Sequence, residues 1–120
     1  MDTRSKIVEG AECAARLEQC KAARPGLRVV SGFFDPLLAW HAERLAAARN
    51  GASALAVVVL EPPQPILSAR ARAELVAALA AVDLVLLPSG QAAAAAEIRI
   101  EDEDLARRAA FIEHVRERQS

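Results

Sequence analysis

No stretch of this 120-residue sequence approaches the roughly 20 consecutive apolar residues that a membrane-crossing helix requires, so no membrane partner is expected. Neither sign of charge is in excess. Fifteen Lys and Arg against 16 Asp and Glu leave a net charge of -1, which gives no bulk attraction to nucleic acid or to an anionic membrane. The opening MDTRSKIVEGAECAARLEQC lacks the apolar core of a signal peptide, and a cytoplasmic location is expected. Cysteine is scarce. Cys13 and Cys20 fall in one helical stretch, and at about 1.5 Å rise per residue they would lie about 10 Å apart, beyond disulfide reach. Without histidines nearby they make a poor metal site, so both read as small apolar residues on one helix face and no metal ligand is assigned. Lysine is absent after Lys21.

What is present is a well-ordered pattern. With 53% hydrophobic and 26% charged residues, the chain reads as one globular domain over residues 1–120. Val8 to Ala23 places Val8, Cys13, Leu17 and Cys20 near one face of a helix, which Pro25-Gly26 ends. Leu27 to Val30 reads as a short buried strand. Leu38 to Arg49 reads as a helix that stops at Asn50-Gly51. Ala54 to Leu60 is a second buried strand, followed by the loop EPPQP, where proline excludes regular structure. Ser68 can cap a helix running to about Ala81. Asp83 to Leu87 is a third strand, closed by Pro88-Ser89-Gly90. Beyond it QAAAAAE is helix-prone, EIRI suits a short strand, and Glu103 to Gln119 reads as a helix. Its acidic start and basic finish suit the helix dipole. Strands that are apolar throughout, separated by helices of a dozen residues, predict a three-layer α/β/α sandwich on a Rossmann-like parallel sheet. Val29, Val58 and Val85 are expected in adjacent central strands.

The segment SGFFDPLLAWH, Ser31 to His41, follows the first strand of that series. Ligands of open parallel sheets favour the crevice at the carboxyl ends of the strands. Asp35 followed by Pro36 forms a good N-cap and N1 pair, so a helix is expected to begin there with its free N–H groups toward the crevice. The plain structural reading of the same residues is that Gly32 permits a tight turn, Asp35 caps, and His41 is a partly exposed surface residue.

GFFDPLLAWH resembles the G-x-F-D-x-x-H-x-G-H signature of the cytidylyltransferase-like nucleotidyltransferases, among them glycerol-phosphate cytidylyltransferases and the heptose-phosphate nucleotidyltransferase domain of ADP-heptose synthases. KIV at Lys6 to Val8 and RAELVAALAAVDLVLL at Arg72 to Leu87 resemble segments of the heptose-type domains, so the likeness spans roughly Lys6 to Leu87. It implies transfer of a nucleotidyl group from CTP or ATP, with Mg2+, to a sugar or polyol phosphate, by positioning and charge neutralisation. It also implies a homodimer. On the matching positions, His41 is the catalytic candidate, and Gly32, Phe34, Asp35, Trp40 and Arg72 are the nucleotide-binding candidates.

The departures are chemical. Leu38 stands at the first histidine of the signature and donates no hydrogen bond. Trp40 replaces the glycine and fills space a nucleotide needs. Only Arg70 and Arg72 bring positive charge near the loop EPPQPILSARARAE. Where the family carries a second phosphate motif resembling R-T-x-G-I-S-T-T, this chain reads EIRIEDEDLARR, whose four acids oppose a triphosphate. Two expectations therefore stand side by side. One is a nucleotidyltransferase of altered detail that uses His41, a helix N-terminus and an arginine. The other is a non-catalytic domain of the same fold that binds a partner protein or a small ligand.

Overall fold

The computed structural model describes residues 2–88 and 96–119. A short 3-10 turn, Thr3–Lys6, leads into β1 (Ile7–Gly10), α1 (Glu12–Ala23), β2 (Arg28–Gly32), α2 (Ala39–Arg49), β3 (Leu55–Val59), α3 (Ala69–Ala77), β4 (Leu84–Pro88), β5 (Ile98–Arg99) and α4 (Glu101–Gln119). The strands form one sheet in the order β1-β4-β3-β2-β5, and every neighbouring pair is parallel. Val29, Val58 and Val85 lie in the adjacent strands β2, β3 and β4, as the apolar runs predict.

Alternation along the strands divides the core into two layers. Val30, Leu55, Val57, Val59 and Val85 point to one face, where Leu45 and Ala48 of α2 and Ala73, Val76 and Ala77 of α3 cover them. Val29, Ala56, Val58, Leu84 and Leu86 point to the other, under Cys13 and Leu17 of α1. Both faces are buried, which explains strands that are apolar at every position. Each fully buried Val or Leu contributes about 1.5–3 kcal/mol.

The first expected element differs. Val8 belongs to an edge strand, not to the first helix, and pairs with Leu86 of β4. Four residues are too few to show a strand period. Gly10, at φ +67°, turns the chain before α1 begins. Val8 still shares a core cluster with Cys13, Leu17 and Cys20, which is why the four looked like one helix face. Both cysteines are free thiols, and burial pushes the Cys13 thiol up. The helix expected over QAAAAAE falls, as far as Ala95, outside the described residues.

Among β2 to β5, chain order and strand order reverse at one place. From β2 the chain steps to β3 and β4 on one side, then returns to lay β5 against the other side of β2. The crevice outside the carboxyl ends of β2 and β5 is therefore the topological switch point. Gly32–Asp35 and the start of α4 meet there. Among the described residues no helix is long and apolar enough to cross a membrane.

Candidate functional site

Gly32 ends β2 opposite Val59. Its role is close approach and not the tight turn expected for it. A Cβ there would stand 2.9 Å from Ile100 Cγ1 and 3.0 Å from the Phe34 ring. Phe34 then adopts φ +54°, the left-handed region that bulky side chains avoid. Its fully buried ring packs into the core beside Leu45 and Ile100. The bend aims two successive backbone N–H groups, those of Phe33 and Phe34, at one point, a small nest suited to an anion.

Asp35 does not cap α2, contrary to the sequence reading. The Asp35-Pro36 peptide is cis, the N-cap is Leu38, and α2 starts at Ala39. The buried Asp35 carboxylate instead accepts hydrogen bonds from Ile66 N (2.7 Å) and Leu67 N (2.8 Å), and Arg108 lies 3.6 Å away. Its work is to hold the proline-rich loop before α3. Arg108 closes the same loop from α4, donating to Pro63 O and Gln64 O.

His41 is 1% exposed and not at the surface as expected. Its Nδ1 accepts the Leu38 N–H at 2.9 Å, covering a donor that the leucine N-cap position leaves open. That bond places the ring proton on Nε2, which donates to Asp104 Oδ1 at 2.9 Å. Trp40 stacks on the imidazole at 4.2 Å between centroids, and the Arg107 guanidinium lies 5.4 Å over the indole. Trp40 Nε1 is buried and has no hydrogen-bond partner among the described residues.

Asp104 is the centre of the arrangement. It sits on the first turn of α4, 1% exposed. Its Oδ2 accepts from Phe33 N at 2.7 Å and Phe34 N at 3.0 Å, while Oδ1 takes the His41 proton. Three donors converge on one carboxylate. This is the coordination an external oxyanion would receive at a strand-to-helix loop. Next to it Glu101 Oε1 accepts from Ser31 Oγ at 2.6 Å. Of the four acids in EDED, two turn inward as internal ligands, whereas Asp102 and Glu103 face solvent.

Burial alone would push the Asp104 carboxyl up, but the hydrogen bonds from His41, Phe34 and Phe33 outweigh it and hold the group below the usual carboxylate range. A lowered folded value means that its stabilising contribution is fully present above the unfolded value, about 3.9, and is lost as pH falls through the folded value. Urea midpoints measured down the acid limb should therefore drop more steeply for the parent protein than for Asp104→Asn. Parallel acid limbs would count against a charged Asp104.

The arginines near the crevice are also committed. Arg72 is wholly buried and donates to Leu67 O, Phe33 O, Leu60 O and Glu61 Oε2. Arg70 is about half exposed and pairs with Glu9 and Glu74. An open cleft of about 430 Å³ lies at the ends of β1, β3 and β4, lined in part by Glu9, Leu60, Glu61 and Arg70. It shares no lining residue with the switch point. Among the described residues no three His, Cys, Asp or Glu side chains are grouped to hold a metal ion. Asp104 is buried and already accepts three hydrogen bonds, so its carboxylate presents no open face to a magnesium–nucleotide complex.

Of the residues singled out in the sequence, the structure gathers Gly32, Phe34, Trp40 and His41 around the crevice, with Asp35 and Arg72 bracing the loops beside it. Asp104 and Arg108 were missed. Their four-residue spacing puts both on the buried side of α4, a signal that EDED, read as four acids opposing a triphosphate, conceals. No protein-family model matches this chain, and no curated protein matches it.

Proposed function

We propose that this protein is a cytidylyltransferase-like domain whose anion site is filled from within, and that it is non-catalytic toward nucleotides. What supports the reading above all is Asp104, which holds the Phe33 N, Phe34 N and His41 Nε2 donors at 2.7 to 3.0 Å. A triphosphate would have to displace a buried, hydrogen-bonded carboxylate while meeting its like charge. Leu38 offers no donor in exchange, and the Arg72 donors are spent on carbonyls and Glu61. With this reading go a cytoplasmic, homodimeric protein and surfaces outside the crevice as the means of binding.

Calorimetry with Mg2+ and CTP or ATP tests it, together with a pyrophosphate assay using glycerol phosphate or heptose phosphate as acceptor. The expected result is no saturable heat in the micromolar range and no pyrophosphate above the blank. Leu38→His with Trp40→Gly rebuilds the signature histidine and glycine, yet should remain inactive because Asp104 still occupies the donors. Tight nucleotide binding with turnover by the unmodified protein would overturn the proposal.

A further inference from the structure

Sheet register builds the cleft at the carboxyl ends of β1, β3 and β4. Glu9 of β1 stands beside Leu87 of β4, and Val59 ends β3 one position past Val58, the partner of Leu86. Leu87 and Val59 pack with the core layer that α3 covers, and Glu9 continues their row at the sheet edge. A carboxylate thus ends a row that is otherwise apolar. It does so where open parallel sheets take their ligands. The volume, about 430 Å³, lies in the range of small-molecule sites.

Charges of both signs stand around this apolar lining, and each is held from behind. Glu61 is 63% exposed, and the wholly buried Arg72 grips its Oε2 at 2.8 Å. That bond orients the carboxylate and uses only part of its capacity to accept. Arg70, on the first turn of α3, is 46% exposed and lies 3.1 Å from Glu9 and 3.5 Å from Glu74. A guanidinium carries five N–H donors, more than these two contacts use. Neither a bare anion nor a bare cation suits the place. Glu9 and Glu61 oppose the first, while Arg70 and the positive end of α3 oppose the second. We infer that the cleft is a binding site for a small apolar zwitterion. Its ammonium sits on Glu61, its carboxylate on Arg70, and its apolar body on Val59, Leu60 and Leu87. Both charged groups are already oriented, so little ordering is left for binding to impose. The cleft stands apart from the crevice at Asp104, with which it shares no lining residue.

The test is an NMR titration of the full chain with phenylalanine. Phenylethylamine, which lacks the carboxylate, and phenylpropionate, which lacks the ammonium, run beside it. Phenylalanine should shift the amides of Leu60, Arg70 and Leu87 and saturate at about millimolar concentration, the level of a very small ligand in an open cleft. The amides of Phe33 and Phe34 at the crevice should stay in place. Each single-ended analogue should bind at least about fivefold more weakly, since one charged contact is lost. Arg70→Ala should lower phenylalanine binding to the level of phenylethylamine and leave phenylethylamine unchanged. Glu61→Gln should lower it to the level of phenylpropionate and leave phenylpropionate unchanged. Phenylalanine that fails to saturate at the cleft amides would overturn the proposal. So would an analogue that binds as tightly, or two variants that keep the parent affinity. Nucleotide binding, which decides the reading of the crevice, moves none of these outcomes.

Discussion

Replacing Asp104 by alanine is expected to destabilise the protein by about 3–5 kcal/mol, because three buried donors lose their shared acceptor. The cause is what remains behind. The N–H groups of Phe33 and Phe34 and the Nε2–H of His41 would keep pointing at an empty space. Each unsatisfied buried donor costs about 1–3 kcal/mol, and the three are coupled because they share one acceptor. Phe34 would also lose the contact that holds its backbone at φ +54°. Against a total stability of about 5–15 kcal/mol, such a loss moves the urea midpoint far enough to read directly. The cradle makes a second outcome measurable. Formate carries the deleted carboxylate in free form, so millimolar formate should raise the midpoint of Asp104→Ala and leave the parent unaffected, by binding the folded state alone. Chloride at equal ionic strength separates this from screening. A loss below about 1 kcal/mol would show that the three donors find water instead of an anion, and the filled-cradle reading would fall with it.

The fold was legible because burial on both faces writes itself into the strands. VVVL and the LVLL that follows Asp83 have no polar position for solvent, and only a sheet covered by helices on each side allows that. Asn50 and Ser68 were legible for a local reason: their caps depend on a few neighbouring residues. The site was not legible in the same way. Asp35 has the chemistry of a helix cap, yet its partners are the amides of Ile66 and Leu67, 31 and 32 residues away. His41 read as a surface residue or as a catalytic group, and its partner is Asp104, supplied by the last helix. Local propensity cannot carry such information, because a carboxylate is equally at home in water, at a cap or on a nest. Only the return of the chain to the β2 edge decides among them.

Arg72 distinguishes a structural brace from a phosphate ligand, and its replacement by alanine is expected to cost about 3–5 kcal/mol, from three carbonyls left without donors and the cavity that opens. Its guanidinium joins three segments. From α3 it reaches Phe33 O (3.1 Å) after β2, Leu60 O (2.7 Å) after β3, and Leu67 O (3.2 Å) in the loop before its own helix. The fourth partner is Glu61 Oε2 at 2.8 Å. Alanine would leave those carbonyls without donors and open a cavity where a fully buried side chain stood. Lysine should rescue little. One ammonium centre cannot span acceptors placed around a planar fork, so Arg72→Lys should lose more than half of what alanine loses. Glu61→Gln provides the contrast. Glu61 is 63% exposed, so screening limits its pairing and the substitution should cost less than about 1 kcal/mol. Urea unfolding of the three variants tests the ranking. If Arg72 were instead held in reserve for a phosphate, alanine there would leave the midpoint nearly unchanged and weaken nucleotide binding alone. The buried fork, with carbonyls after β2 and β3 tied to it, argues for the first outcome.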